Sequence, residues 1–151
     1  MLGKAYFATQ RGPKLTATRM LIVEDDPLLL AYMDESLAPY GECVLAADGQ
    51  VAVRAFREAL TEGKPFDVIF MDLGLPGKDG HQALSEIRAL ETARGITPTD
   101  EVKTIIVSAL DDTRHVSRAF FQGRAVSYLT KPVTPEKIAS ELEKFGYGKE
   151  A

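Results

Sequence analysis

Cysteine is nearly absent: Cys43 is the only one in 151 residues, which leaves no disulfide framework and no cysteine metal cluster. Cys43 itself reads as a small apolar residue in a strand. No apolar run approaches membrane-spanning length, so no membrane partner is expected. Positive charge is not in excess either. Eighteen Lys and Arg against 22 Asp and Glu leave a net charge of -4, without the basic footprint of a protein that binds nucleic acid directly. Acids are missing from Met1 to Arg19, where Lys4, Arg11, Lys14 and Arg19 are basic, but that stretch also lacks the apolar h-region of a secretory signal. Residues 1–18 are therefore expected to be a flexible leader, with Met20 a candidate start, residues 19–146 one domain and residues 147–151 a short tail. Neither an internal repeat nor a low-complexity stretch is present, and a reducing cytoplasm is the expected location.

What is present is alternation. A hydrophobic content of 45% with 26% charge suits a soluble domain with a real core, and short apolar runs alternate with helix-period segments, as in βα units around a parallel sheet. Met20 to Val23 is the first strand; Asp26 can cap the next helix with Pro27 at its first position, and Leu30, Met33 and Leu37 follow at helical spacing. Cys43 to Ala47 is the second strand, Asp48-Gly49 the turn leaving it, and Ala52, Ala55, Phe56 and Ala59 the inner face of the second helix. Asp67 to Met71 is the third strand, ending at Asp72; a Gly- and Pro-rich loop, Gly74 to Gly80, leads to a helix carrying Leu84, Ile87 and Leu90. Ile96 to Glu101 is a polar, exposed connection. Thr104 to Val107 is the fourth strand, ending at Ser108, and Asp111, Asp112 and Thr113 cap a helix with Val116, Ala119 and Phe120. Ala125 to Leu129 is the fifth strand, and Thr134-Pro135 opens a last helix with Ile138, Leu142 and Phe145 on one face. The fold class is α/β, a doubly wound five-stranded parallel sheet, flavodoxin-like in strand order 2-1-3-4-5. His81 and His115 fall on helices and are expected to be solvated.

In an open parallel sheet, ligands bind beyond the carboxyl ends of the strands, and four of these strands end in reactive groups. The first supplies Glu24 and Asp25, the third Asp72, the fourth Ser108 and the fifth Lys131. In the order 2-1-3-4-5 the first and third strands are neighbours, so three carboxylates crowd together and repel unless a cation lies between them. Hard oxygen ligands in a small cluster favour Mg²⁺, which accepts a phosphoryl oxygen as well. Lys131 adds a second positive charge and Ser108 a hydroxyl donor. The set describes phosphoryl transfer to a carboxylate nucleophile, although each member alone has a plainer role as a helix cap, a turn residue, a satisfied serine or a solvated lysine.

The segments LIVEDD (Leu21–Asp26), FMDLGLPGKDG (Phe70–Gly80), VSA (Val107–Ala109) and YLTKP (Tyr128–Pro132) resemble, in order, the response-regulator receiver family of two-component signalling. The resemblance implies a stand-alone, phosphoacceptor response regulator of a two-component or phosphorelay pathway, not an enzyme with a separate substrate. Asp72 would take the phosphoryl group from a sensor histidine kinase or a histidine phosphotransfer protein. Glu24 and Asp25 would hold Mg²⁺ together with Asp72 and the backbone carbonyl of Gly74, and Lys131 would pair with a phosphoryl oxygen, its bond to Pro132 cis. Ser108 and Tyr128 would form the switch, Ser108 swinging toward the phosphoryl group and Tyr128 turning inward. The output would be a contact with an unnamed downstream protein through the last two helices and the fifth strand, or a phosphorylation-dependent homodimer.

The chain departs from the commonest family pattern at Glu24, at Gly123-Arg124-Ala125 before the fifth strand, and in the lengthened link from Thr92 to Lys103. Gly74 and Leu110, two residues beyond Asp72 and Ser108, carry no polar side chain to orient water, so a long-lived aspartyl phosphate is expected. Two other functions compete: a small phosphatase working through an aspartyl phosphate, for which no acid follows Asp72 in Leu73, Gly74 and Leu75, and a receiver that binds partners without phosphorylation, against which the complete set of Asp72, Asp25, Ser108 and Lys131 argues.

Overall fold

A computed structural model of the chain describes residues 17–75, 79–109 and 112–149. The expected leader lies outside these residues except at its end, as do Leu110, Asp111 and the last two residues of the expected tail. Thr18, at the edge of that leader, is buried, and its carbonyl accepts a bond from the Glu42 N–H (2.8 Å).

Five strands, β1 (Arg19–Val23), β2 (Glu42–Ala46), β3 (Val68–Asp72), β4 (Lys103–Ser108) and β5 (Ser127–Thr130), pair in parallel in the order β2-β1-β3-β4-β5. This is the doubly wound, flavodoxin-like order expected from the alternation. The helices are α1 (Pro27–Leu37), α2 (Gly49–Thr61), α3 (Gly80–Ala93), α4 (Thr113–Gly123) and α5 (Pro135–Lys144), with a 3₁₀ turn at Ala38–Tyr40.

Successive strand residues point to opposite faces, and here both faces are apolar because both are covered. Leu21, Val23, Ile69, Met71 and Ile106 pack beneath α2, α3 and α4, against Phe56, Leu84, Ile87 and Ala119. Met20, Ile22, Phe70, Ile105 and Val107 pack against Met33 and Leu37 of α1 and Ile138 and Leu142 of α5. Each such Leu, Ile, Met or Phe contributes about 1.5–3 kcal/mol on burial.

The helix starts are capped by short polar side chains, worth about 1 kcal/mol each. Asp26 accepts from Leu28 N (3.0 Å), Asp79 from Gln82 N (2.8 Å) and Thr134 from Lys137 N (3.2 Å). Asp48 is likewise a cap, accepting from Val51 N (2.8 Å), rather than part of a turn. Asp112 stands at the start of α4 but makes no capping bond.

Further expectations need correction. The fifth strand begins at Ser127, not Ala125, because Arg124 adopts the left-handed conformation (φ 56°) at the end of α4 and the Ala125 N–H bonds back to the Ala119 carbonyl (3.1 Å). The glycine beside it is needed for packing instead: a Cβ on Gly123 would sit 2.3 Å from Leu84 Cδ2. The 96–101 connection is exposed over residues 97–100 but turns inward at Glu101, whose side chain is 9% exposed and grips Arg124 Nε through both oxygens (2.9 and 3.1 Å).

Below that pair lies a buried arginine that apolar periodicity does not reveal. Arg88 donates to Glu91 Oε1 (2.7 Å) and to the carbonyls of Val102 (3.0 Å) and Gly123 (2.8 Å), and Glu91 Oε2 accepts from Val102 N (2.6 Å). The lengthened link is thereby fastened to α3 and to the α4–β5 junction. His81 is also buried rather than solvated; its Nε2 lies 3.2 Å from Nδ1 of the exposed His115, joining α3 to α4.

Candidate functional site

β1 and β3 are adjacent with Val23 opposite Met71, so the residues that follow, Glu24 and Asp72, leave the sheet side by side. The Glu24 N–H bonds to the Ala46 carbonyl (3.0 Å), which carries the β1–β2 pairing one residue further and fixes the start of the acidic loop. Glu24, Asp25 and Asp72 each offer a carboxylate oxygen, all within 4.8 Å of one another. Glu24 is 1% exposed and Asp72 7% exposed, while Asp25 faces solvent.

Asp72 is held from two sides. Its Oδ1 accepts from the Gly74 N–H (2.9 Å), and its Oδ2 from the Lys131 ammonium (3.3 Å). The same ammonium lies 3.6 Å from Glu24 Oε1, and Glu24 Oε2 accepts from the Asp26 N–H (3.1 Å). Lys131 reaches the cluster because its own N–H bonds to the Ser108 carbonyl (2.8 Å), which ties the end of β5 to the end of β4; the Lys131–Pro132 peptide is cis, as expected. Gly80, at the start of α3, abuts the end of β3. A Cβ there would lie 2.6 Å from the Asp72 carbonyl oxygen and from Leu73 Cα, so only glycine lets the helix start this close.

Burial pushes the Glu24 carboxyl up to about 7, and the Asp72 charge adds to that rise against the bond from the Asp26 N–H. Burial acts against the Lys131 charge, but Asp72 and Glu24 together outweigh it and hold the ammonium above its ordinary value. Three carboxylates around one ammonium leave the cluster short of positive charge. Glu24 Oε1 is buried without a hydrogen-bond partner. A compact set of hard oxygen donors with an unsatisfied buried oxygen fits a small divalent cation.

Ser108 ends β4 beside the cluster, buried, its Oγ also without a hydrogen-bond partner. Behind it a groove of about 710 Å³ opens between α4 and β5, lined by Ser108, Ala109, Val116, Phe120 and Tyr128. Tyr128 stands 48% exposed, its ring edge-on to Phe120 (6.3 Å between centroids). Phe120 is half-buried and Phe121, 87% exposed, is free of the core.

Of the residues singled out from sequence, the fold brings Glu24, Asp25, Asp72 and Lys131 together, Gly74 joins through its N–H, and Ser108 lies at the rim. Tyr128 lines the groove that Ser108 also borders. Lys137, not singled out from sequence, donates to the Thr130 and Pro132 carbonyls that flank Lys131; its one legible signal is a cation in the first turn of a helix. Among the described residues no helix is long and apolar enough to cross a membrane.

This geometry has counterparts. The family model for the response regulator receiver domain matches residues 20–143. The sensor histidine kinase GacS of Pseudomonas protegens is 33% identical over 130 residues, which are 85% of this chain and 13% of that protein, so the chain spans a small part of that relative. The receiver domain of the Arabidopsis thaliana histidine kinase CKI1, solved in complex with Mg²⁺, superposes with a TM-score of 0.74 at 28% identity, covering 87% of this chain and 93% of that one. The receiver domain of the Saccharomyces cerevisiae response regulator Ssk1, solved with the histidine phosphotransfer protein Ypd1, gives 0.73 at 27% identity, covering 89% and 92%. With its parallel sheet and acidic pocket, the chain belongs to the response regulator receiver domain family of two-component signalling.

Proposed function

We propose that Asp72 is the phosphoacceptor of this domain, taking a phosphoryl group from a phosphohistidine on a sensor kinase or a phosphotransfer protein. The observation that carries this is the Asp72 carboxylate, bonded to the Gly74 N–H and the Lys131 ammonium and set within 4.8 Å of two further carboxylates. An Asp72 oxygen forms a bond to phosphorus as the donor's P–N bond breaks, and the imidazole leaves with the electron pair. Lys131, already within hydrogen-bond reach of Asp72, neutralises a phosphoryl oxygen as charge spreads over the transferring group.

Glu24, Asp25, Asp72 and the backbone carbonyl of Gly74 would hold Mg²⁺, with Asp25 the more direct ligand of the acidic pair. The chemistry a bound Mg²⁺ supplies there is neutralisation of the clustered carboxylates and of the phosphoryl oxygens. The unpartnered hydroxyl of Ser108 turns toward the phosphoryl group, and Tyr128 turns into the groove beside it. The half-exposed Tyr128 and the exposed Phe121 support a downstream protein contact on α4, β5 and α5. Likeness to the Ssk1 receiver, solved with Ypd1, supports a histidine phosphotransfer protein or kinase as the donor.

Incubation with acetyl phosphate or phosphoramidate, with and without Mg²⁺, tests this by intact mass. A single Mg²⁺-dependent phosphoryl adduct, lost in Asp72→Asn, is expected. Its absence from folded wild-type protein that binds Mg²⁺ would sink the proposal.

A further inference from the structure

We propose that Lys137 is a positioning residue for phosphoryl transfer, acting through Lys131 by holding the main chain on both sides of it; this rests on the function proposed above. Lys137 is the third residue of α5. A cation in the first turn of a helix opposes the helix dipole, where an acid such as the neighbouring Glu136 is favoured. Ordering a lysine side chain also costs rotamer entropy. Something beyond the helix must therefore hold this ammonium in place.

The acceptors are in the loop that carries Lys131. Lys137 Nζ donates to the Thr130 carbonyl (3.0 Å), to Thr130 Oγ1 (3.2 Å) and to the Pro132 carbonyl (2.9 Å). An ammonium has three N–H donors, and these three acceptors use them all. Each acceptor is neutral, and two are the carbonyls immediately before and after Lys131. Glu141, one helical turn on, is engaged elsewhere: it accepts from Ser127 Oγ and from the Lys144 ammonium.

With both flanking carbonyls fixed to α5 and the Lys131 N–H fixed to the Ser108 carbonyl (2.8 Å), the direction in which Lys131 leaves the backbone is set. Its long side chain, 36% exposed, is then delivered within 3.3 Å of Asp72 and 3.6 Å of Glu24. Without Lys137 the carbonyls on either side of Lys131 lose their tie to α5, while Thr130 stays paired with Ser108 and Val133 stays in the core, and the ammonium that meets the transferring phosphoryl group loses part of its fixed origin. Small misplacements of such a group are costly in rate.

The test follows the rate of Mg²⁺-dependent phosphoryl adduct formation from acetyl phosphate in the full chain, with circular dichroism showing that each variant is folded. Lys137→Met, which keeps the stem but removes the donors, is expected to slow the adduct by about five- to tenfold. Lys137→Arg, which keeps the charge and can reach both carbonyls, is expected to stay within about twofold of wild type. In a Lys131→Met background, Lys137→Met is expected to change the remaining rate by less than about twofold, because residues that act through one another are not additive. A wild-type rate in Lys137→Met would overturn the inference, as would an undiminished effect in the Lys131→Met background. Should Lys137→Met not fold, Lys137→Gln puts the same question, and a wild-type rate there overturns it equally. A wild-type chain that takes no phosphoryl group overturns the proposed function itself, and that outcome is read before any variant.

Discussion

The Glu24 carboxylate and the Lys131 ammonium stand 3.6 Å apart, yet Glu24 Oε1 lies buried without a hydrogen bond. The lysine is shared with Asp72, which takes the closer contact at 3.3 Å. Glu24 is thus a carboxylate with too little neutralising charge, and its behaviour with pH reports on the whole cluster.

Burial, with the Asp72 charge beside it, raises Glu24 from 4.5 to about 7. Between those values the folded protein keeps a proton that the unfolded chain releases. The stabilisation is fully present below about 4.5 and is lost as pH rises through 7. Without metal, the stability of wild type relative to Glu24→Gln is expected to fall by roughly 2–3 kcal/mol between pH 4.5 and 8. Urea unfolding across that range checks this, and added Mg²⁺ should restore wild type more at pH 8 than at pH 5.

Arg88 and Glu91 form a buried pair, and removing one partner strands the other. Burial raises the Glu91 carboxyl against the bonds it receives from Val102 and Arg88. Arg88→Met is expected to cost about 3–5 kcal/mol, and Arg88→Met/Glu91→Leu less than the sum of the single changes. A double-mutant cycle by urea unfolding measures the coupling. Additive losses would show that the pair does not act as a unit.

His81 is held below its ordinary value by burial, with Arg118 and the facing His115 adding to the effect and Asp79 and Asp112 opposing it. Its folded form is neutral where the unfolded chain binds a proton, so its contribution is present above about 6.5 and is lost as pH falls. His81→Gln is expected to remove part of the acid sensitivity between pH 7.5 and 5.5. Unfolding midpoints of the two proteins at those pH values, compared directly, decide it.

Gly74 bonds Asp72 through its N–H and offers no side chain to orient water. Among the described residues, a Cβ at this position would meet only Asp72 Oδ1, at an ordinary 3.8 Å. On the proposed function, Gly74→Asn is expected to speed loss of the phosphoryl group about two- to tenfold, by holding water near the phosphorus. The decay of the adduct mass with time measures this; an unchanged lifetime would remove the explanation. Leu110, paired with Gly74 in the sequence reading, lies outside the described residues.

The legible parts of the site are those that hang on strand ends. Val23, Met71 and Val107 are the last apolar residues of their strands, and the polar residue after each is placed by the sheet. Glu24, Asp72 and Ser108 could therefore be found from alternation alone. Lys137 could not, because two of its three acceptors are the backbone carbonyls of Thr130 and Pro132, and every residue has one.

The amino-acid sequence by itself determined the βα alternation, the capping of most helices, the two apolar faces of the sheet and the residue types at its carboxyl edge. These follow from local periodicity and from side chains acting on their own neighbourhood. The tertiary structure decided the rest: that Lys131 divides its charge between Asp72 and Glu24, that Arg88 fastens the link before β4 to the end of α4, and that His81 is buried against His115. In each case the partners are distant in sequence, from 14 to 107 residues apart. Only packing brings such groups together, and the low-dielectric interior then decides which of them remains charged.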